Sequence, residues 1–304
     1  MLGNEEALMK VAITGSNGLI GSALVAALEA RGDTVVRVVR GDGDGIRWDP
    51  EHGTIEASGL EGVDAVVHLA GEGIGEKRWT PEQKQKILDS RVKGTMLIAT
   101  TIANLERRPS VFVSASAIGW YGNRGDEVLT EASGPPSPDE FLAEVCREWE
   151  AATAPAEAAG IRTVHLRTGI VLSASGGALG RMITPFKLGL GGRIASGRQY
   201  MSWIALDDEV GAVLHALDHA EVEGVLNATA PNPVTNSEFT AALGRVLKRP
   251  TVLPTPLLPL KALYGKELVQ HLLLDGARVM PAHLDATGYE FRHPTLDGAL
   301  RAMI

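Results

Sequence analysis

The chain has almost no cysteine: Cys146 stands alone among 304 residues, so no internal disulfide can form. No Cys/His cluster has metal-ligand spacing either. A metal site is therefore not expected, and a reducing, cytoplasmic setting suits the chain best. Positive charge is also in deficit, with 29 Lys and Arg against 37 Asp and Glu for a net charge of −8. That balance offers no basic face to nucleic acid or to an anionic membrane, and neither is expected as a partner. Long apolar runs are missing, and Met1 to Met9 carry acids rather than the apolar centre of a signal peptide. The first strand begins at Lys10, so the residues before it are an extension, or the true start is Met9.

What is present is an alternation of short β-branched runs with helical stretches, the pattern of a parallel sheet covered on both faces. Strands are predicted at 11–14, 34–39, 65–69, 111–114 and 163–166, and helices at 18–31, 81–104 and 138–160. Pro81 and Pro138 stand where a helix tolerates a missing N–H. After Gly169 the texture turns glycine-rich and then proline-punctuated, with a helical pattern at 265–280 and a short strand or turn at 289–294. The fold class expected is α/β: a Rossmann-type doubly wound sheet over residues 1–175 and a smaller C-terminal lobe over 176–304, with about 200–230 returning to the first unit.

The strongest motif is Gly15-Ser16-Asn17-Gly18-Leu19-Ile20-Gly21, lying directly after the first apolar strand and opening a helix. Gly15 permits the tight turn, Gly18 clears space for a pyrophosphate, and Gly21 allows helix and strand to pack closely. The helix N-terminus adds free N–H groups and partial positive charge. An acid at the end of the second strand would select NAD. Here the strand ends in Val39-Arg40, and Arg40 suits the 2′-phosphate of NADP(H), although Asp42 or Asp44 lies close enough to reach back.

These residues resemble the extended short-chain dehydrogenase/reductases, which include the nucleotide-sugar epimerases. The resemblance rests on Thr14 to Gly21, on His68-Leu69-Ala70-Gly71, and on Ser114-Ala115-Ser116 followed by Tyr121-Gly122. Trp48-Asp49, Arg78-Trp79, Ser90-Arg91, Phe186 to Gly192, Gln199 to Ile204 and Gly288-Tyr289 resemble an atypical branch, the epimerase family proteins of family 39U, over the whole chain from Lys10. The resemblance implies that Gly15, Gly18, Leu19 and Ile20 hold the pyrophosphate, and that Leu69, Ala70 and Gly71 run under the adenosine and ribose. Ser114 and Ala115 border the cofactor, and Arg167, Gly169 and Ile170 fall where relatives reach the nicotinamide. Arg91 replaces a cofactor-contacting Asn of the family motif. Core packing is the competing role for all of them.

Relatives carry out proton transfer with Tyr-x-x-x-Lys. None of the four tyrosines here has a lysine four positions on, and counting from Ser116 puts Phe141 and Val145 in those places. Ser116 is the first residue expected to touch substrate, with local backbone bonding as its other role. Tyr121 is the nearest substitute acid, though without a neighbouring cation its phenol would stay near 10; Glu144 reads as a solvated helix residue. In the second lobe Lys187, Arg193 and Arg198 suit an anionic substrate or plain solvation, Trp203 is a packing anchor or a stacking platform, and Asp207 caps the next helix. Two functions follow: an NADPH-binding oxidoreductase or epimerase-like enzyme acting on a small carbonyl, hydroxyl or sugar-nucleotide compound, or a catalytically silent NADPH sensor. A monomer and a homodimer are both open.

Overall fold

Strand β1 (Lys10–Thr14) is an unbroken apolar run, and Val11, Ala12 and Ile13 are all fully buried. Successive side chains of a strand point to opposite faces, so burial of every position requires layers on both sides. In the computed structural model, which describes residues 8–41, 43–136 and 140–304, those layers are present. Asp42 and Pro138 lie outside the described residues.

The chain continues through α1 (Leu19–Arg31), β2 (Thr34–Val39), β3 (Ile46–Asp49), β4 (Thr54–Ile55), β5 (Ala65–His68), α2 (Pro81–Ala103), β6 (Val111–Ala117) and the short β7 (Val128–Leu129). There follow α3 (Phe141–Ala151), α4 (Ala154–Ala158) and β8 (Arg162–Thr168). The predicted helix over 138–160 is thus two helices. Pro155 sits in the first turn of α4, where its ring and missing N–H prevent α3 from running on.

Beyond β8 come β9 (Ile170–Ser173), α5 (Gly177–Lys187), β10 (Tyr200–Met201), β11 (Trp203–Ala205), α6 (Leu206–Asp218) and β12 (Gly224–Ala228). Then follow β13 (Val234–Thr235), α7 (Asn236–Leu247), α8 (Leu257–Tyr264), α9 (Lys266–Val269), β14 (Arg278–Val279), α10 (Ala282–Ala286) and α11 (Leu296–Met303). The helical pattern at 265–280 resolves into α9, a single π-helical turn over Gln270–Leu274, and β14 beside β7. Residues 289–294 form no strand; Asp208 organises them by accepting from the Arg292 and His293 amides at 2.7 and 2.9 Å. Asp207 is not the cap of α6. The N-cap is Ala205, and Asp207 lies inside the first turn.

The main sheet has eight strands in the order β12-β8-β6-β5-β1-β2-β3-β4, parallel except for β4 at its edge. Strand order reverses about β1, and open α/β sheets bind ligands at the carboxyl ends of the strands flanking such a reversal. On one face Val11, Ile13, Val67 and Val113 pack with Leu24 and Leu28 of α1 and Val213 of α6. On the other, Ala12, Val66 and Phe112 pack with Ile98 and Ile102 of α2. A separate core of Leu179, Phe186, Trp203, Phe239, Leu243 and Leu300 holds the C-terminal elements together.

Candidate functional site

The glycine turn closes the end of β1. Gly15 has φ +70°, and a Cβ there would meet the Leu69 carbonyl carbon at 2.9 Å, so turn and β5 end touch backbone to backbone. A Cβ on Gly21 would stand 2.1 Å from the Gly15 carbonyl oxygen, which makes glycine obligatory where α1 crosses the turn. The N-cap of α1 is Gly18, which offers no side-chain cap, and the first helical bond runs from the Ser22 amide to the Gly18 carbonyl. The amides of Leu19, Ile20 and Gly21 therefore have no acceptor within the helix. Ser16 is buried beneath the turn and Asn17 is exposed on it.

Thr14 locks this turn to the neighbouring strand. Its hydroxyl accepts from the Leu69 and Ala70 amides at 3.1 and 3.2 Å and donates to His68 Nδ1 at 2.7 Å. Burial, with Arg91 nearby, pushes the His68 imidazole down to about 3, so the ring is neutral and its proton sits on Nε2. Arg40 follows β2, exposed and with no hydrogen bond or ion pair among the described residues. Arg37, which the sequence reading passed over, donates to Asn17 Oδ1 at 3.5 Å and adds a second cation beside the turn.

A cavity of about 240 Å³ opens at the carboxyl ends of β6 and β8. Ala117, Ile118 and Gly119 line it beside Thr168, Gly169 and Ile170, with Leu142, Val145, Cys146 and Trp149 of α3. Arg91 is the only Lys or Arg in this lining, among the described residues. Its guanidinium lies 4.8 Å over the Trp149 ring, beside Gly71, and its Nη1 donates to the Glu72 and Ile87 carbonyls at 2.9 and 3.1 Å. Burial lowers its pKa, an effect that a bound anion would offset. Burial also pushes the Cys146 thiol up to about 12, which leaves it an inert packing group.

Several expected site residues point elsewhere. Ser116 is buried, and its hydroxyl donates to Glu150 Oε1 at 2.6 Å; its neighbour Ala117 is the residue that lines the cavity. Arg167, only 2 % exposed, does not reach into the cavity either, because it forms a two-pronged pair with the Glu150 carboxylate at 2.8 Å on each prong. Tyr121 is fully buried, donates to Asn227 Oδ1 at 2.8 Å, and accepts from Arg167 at 3.0 Å. It does have a neighbouring cation, yet burial dominates and raises its pKa. Ser114 is buried in register with His68, and Ala115 is half-buried. Trp203 is fully buried in the C-terminal core with its indole N–H on the Asn232 carbonyl, so it is a packing anchor and no platform for a ligand. Arg198, Arg193, Lys187 and Glu144 are exposed and outside the cavity. Phe141 packs edge-on against Trp79.

The sequence reading missed the residues that the C-terminal segment brings to the cavity. His271, Leu272, Asp275, Gly276 and Ala277 line it together with Tyr200, Ser202 and Asn123. His271 Nδ1 lies 2.8 Å from Asp275 Oδ2, and its ring stacks 5.9 Å from Trp79 at an interplanar angle of 14°. Asp275 is held in turn by Gln270 Nε2 at 2.7 Å and Asn123 Nδ2 at 3.3 Å. Ser202 fastens the segment, donating to the Ala277 carbonyl at 2.7 Å and accepting from the Val279 amide at 2.9 Å. Gly276 is required, since a Cβ there would lie 2.7 Å from the Tyr200 backbone. The i, i+4 spacing of His271 and Asp275 was the available signal.

A doubly wound sheet with a glycine turn at its reversal and a cavity over the neighbouring strand ends defines a Rossmann-type protein of the epimerase and short-chain dehydrogenase/reductase kind. The chain belongs to the NAD dependent epimerase/dehydratase family, whose pattern matches residues 11–228, and residues 255–303 match a domain of unknown function, DUF1731. An epimerase family protein of Mycobacterium leprae is 45% identical over 293 residues, covering 95% of this chain and 94% of its own. The crystal structure of the human epimerase family protein SDR39U1 with NADPH is similar at a TM-score of 0.89 and 37% identity, covering 97% of this chain and 99% of that one. A UDP-glucose 4-epimerase of Thermotoga maritima, at 17% identity and a TM-score of 0.75 over 97% of each chain, shares the fold. No helix among the described residues is long and apolar enough to cross a membrane.

Proposed function

We propose that this protein binds NADPH and is an oxidoreductase acting on a small carbonyl compound held between the sheet edge and the C-terminal segment. The observation that carries the reading is the turn at Gly15 to Gly21, with three amides free of helical acceptors and no side-chain cap. A Cβ at Gly15 would clash with the Leu69 backbone, so glycine there lets the turn close onto the end of β5 and sets the position of those amides. The human relative that crystallised with NADPH matches over nearly the full length, which supports the choice of coenzyme.

In this reading Leu19, Ile20 and Gly21 donate to the diphosphate, and Leu69, Ala70 and Gly71 run under the adenosine side. Arg40 pairs with the 2′-phosphate, with Arg37 adding positive potential beside Asn17. The nicotinamide end occupies the cavity over Gly169 and Ile170, where NADPH supplies a hydride. The apolar lining from Ile74, Leu142, Val145 and Leu272 excludes water from the reacting centre, and Arg91 places a buried cation beside it. Ser116, Tyr121 and Arg167 are tied up in bonds to Glu150 and Asn227 that brace the strand ends, and they handle no proton.

Arg40→Ala is expected to weaken NADPH binding by about ten- to a hundredfold, the worth of one charge-assisted contact, and NADH binding by less than about threefold. Calorimetric titration of both coenzymes checks this; equal losses would remove Arg40 from the phosphate site. The sensor reading draws on one observation, the burial of Ser116 and Tyr121 away from the cavity. It predicts tight NADPH binding with no oxidation of the coenzyme by any of a broad set of aldehydes, ketones and sugar nucleotides.

A further inference from the structure

The family's tyrosine and lysine are replaced here by Phe141 and Val145, neither of which carries a proton, so a reducing site needs its donor from elsewhere. Of the groups lining the cavity, Arg91 is a cation with no proton to release near neutral pH, and the Cys146 thiol is a packing group. Glu140 and Tyr200 also line it, neither oriented by a carboxylate among the described residues. His271 is different. One face stacks on Trp79, whose own indole N–H is fixed on the Ile74 carbonyl at 2.8 Å, and Nδ1 is held by Asp275. With Nδ1 engaged, Nε2 is the nitrogen left without a hydrogen-bond partner among the described residues, on a side chain that borders the cavity. A carboxylate behind an imidazole fixes its tautomer and stabilises the imidazolium. His271 sits on the single π-helical turn, a distortion of the kind often found at functional positions, and Asp275 is the residue that ends it.

We propose that His271 is the proton donor of the reaction, with Asp275 as its positioning residue. The inference rests on the oxidoreductase reading above. As hydride reaches the carbonyl carbon, the C=O π pair moves onto oxygen, which takes the proton from His271 Nε2. The products are the alcohol and NADP+, and the neutral ring recovers its proton from water. Asp275 holds the ring throughout, itself held by Gln270 and Asn123. The C-terminal segment, which has no part in the dinucleotide fold, would then complete the catalytic apparatus. The substrate is accordingly a small carbonyl with an apolar body, matched to Leu142, Val145 and Leu272.

The test is long-range nitrogen–proton NMR of the His271 ring in the full-length protein, assigned against His271→Gln. In the wild type Nδ1 should carry a proton bonded to Asp275, and this signature should be lost in Asp275→Asn. Saturating NADP+ together with benzaldehyde should shift the Nε2 resonance. A ring that ignores both additions, while calorimetry shows NADP+ bound, overturns the proposal. The kinetic arm follows NADPH oxidation by benzaldehyde or diacetyl. His271→Gln should lower kcat by about a hundredfold, keep NADPH affinity within about twofold, and lose the alkaline limb of the pH profile. Asp275, Glu140, Arg91, Tyr200 and Cys146 are the other titratable groups on the cavity, and all remain in this variant. An unchanged kcat and profile also overturn the proposal; should neither carbonyl react, the ring readout decides. Failure of the wild type to bind any nicotinamide coenzyme would instead sink the reading on which the proposal rests.

Discussion

Glu150→Ala is expected to lower the stability of the folded protein by about 3–5 kcal/mol, the cost of leaving a buried cation without its partner. Arg167 and Glu150 are 3 % and 8 % exposed at their side chains and meet through two parallel bonds. The guanidinium is further sandwiched against aromatic rings, 3.8 Å from the Trp120 centroid and 5.1 Å from that of Tyr121. Burial alone would lower the Arg167 pKa, but the bonds to Glu150 outweigh it and the net direction is upward, so the group stays charged in every accessible condition. Removing the carboxylate strands that charge and also frees the Ser116 hydroxyl. Urea denaturation measures the loss. A double variant, Glu150→Leu with Arg167→Met, should be markedly less damaged than Glu150→Ala, because a matched apolar pair has no charge to desolvate. A loss below about 1 kcal/mol in Glu150→Ala would show that water reaches the guanidinium and that the network does not brace the cavity floor.

The behaviour of Ser116 shows where sequence reasoning stops. The glycine turn was legible because its strand, turn and helix are contiguous in the chain, and the sheet was legible because strands buried on both faces leave unbroken apolar runs such as Val111 to Val113. Facing is another matter. Adjacent residues of β6 point to opposite sides, so an offset of one residue sends Ser116 to Glu150 and Ala117 to the cavity. No local pattern distinguishes the two. The split of the 138–160 helix was written in Pro155 and could have been read; the convergence of His271 with Trp79 could not, because nothing local encodes a contact between the cavity rim and a segment so much later in the chain. The family resemblance put Arg167 at the nicotinamide, but its side chain pairs with the Glu150 carboxylate of α3 instead. Long-range polar pairing decides such residues, and it leaves no periodic trace.

The same blindness covered Glu209, whose titration should make a large contribution to the pH dependence of stability. This glutamate lies in the first turn of α6, fully buried; Oε1 accepts from Thr168 Oγ1 at 2.7 Å, and Oε2 has no partner among the described residues. Burial pushes its carboxyl from 4.5 up to about 8, with the Thr168 bond only partly opposing the shift. Because the folded-state value lies above the unfolded one, the folded protein holds a proton that the unfolded chain releases. The contribution of Glu209 to stability must therefore fall as pH climbs from 4.5 to about 8 and level off outside that interval, while the buried neutral His68, held down at about 3, contributes an opposing rise up to 6.5. At neutral pH the accumulated penalty is about 3 kcal/mol. Glu209→Gln removes this group and keeps His68, so the difference in stability between the two proteins isolates the Glu209 contribution over that interval. Near pH 8 the variant should exceed the wild type by roughly 2–3 kcal/mol, after allowance for the amide N–H that finds no acceptor, and near pH 4 it should show no gain. Urea midpoints measured across the interval decide the matter. Parallel curves for the two proteins would mean that the carboxylate is already ionised and solvated in the fold. Thr168 connects this group to function: its hydroxyl is committed to Glu209 while the residue lines the cavity beside Gly169, so ionisation of Glu209 changes the floor on which the nicotinamide would rest. The slope in stability should therefore be accompanied by a loss of NADPH affinity over the same pH interval, absent from the glutamine variant.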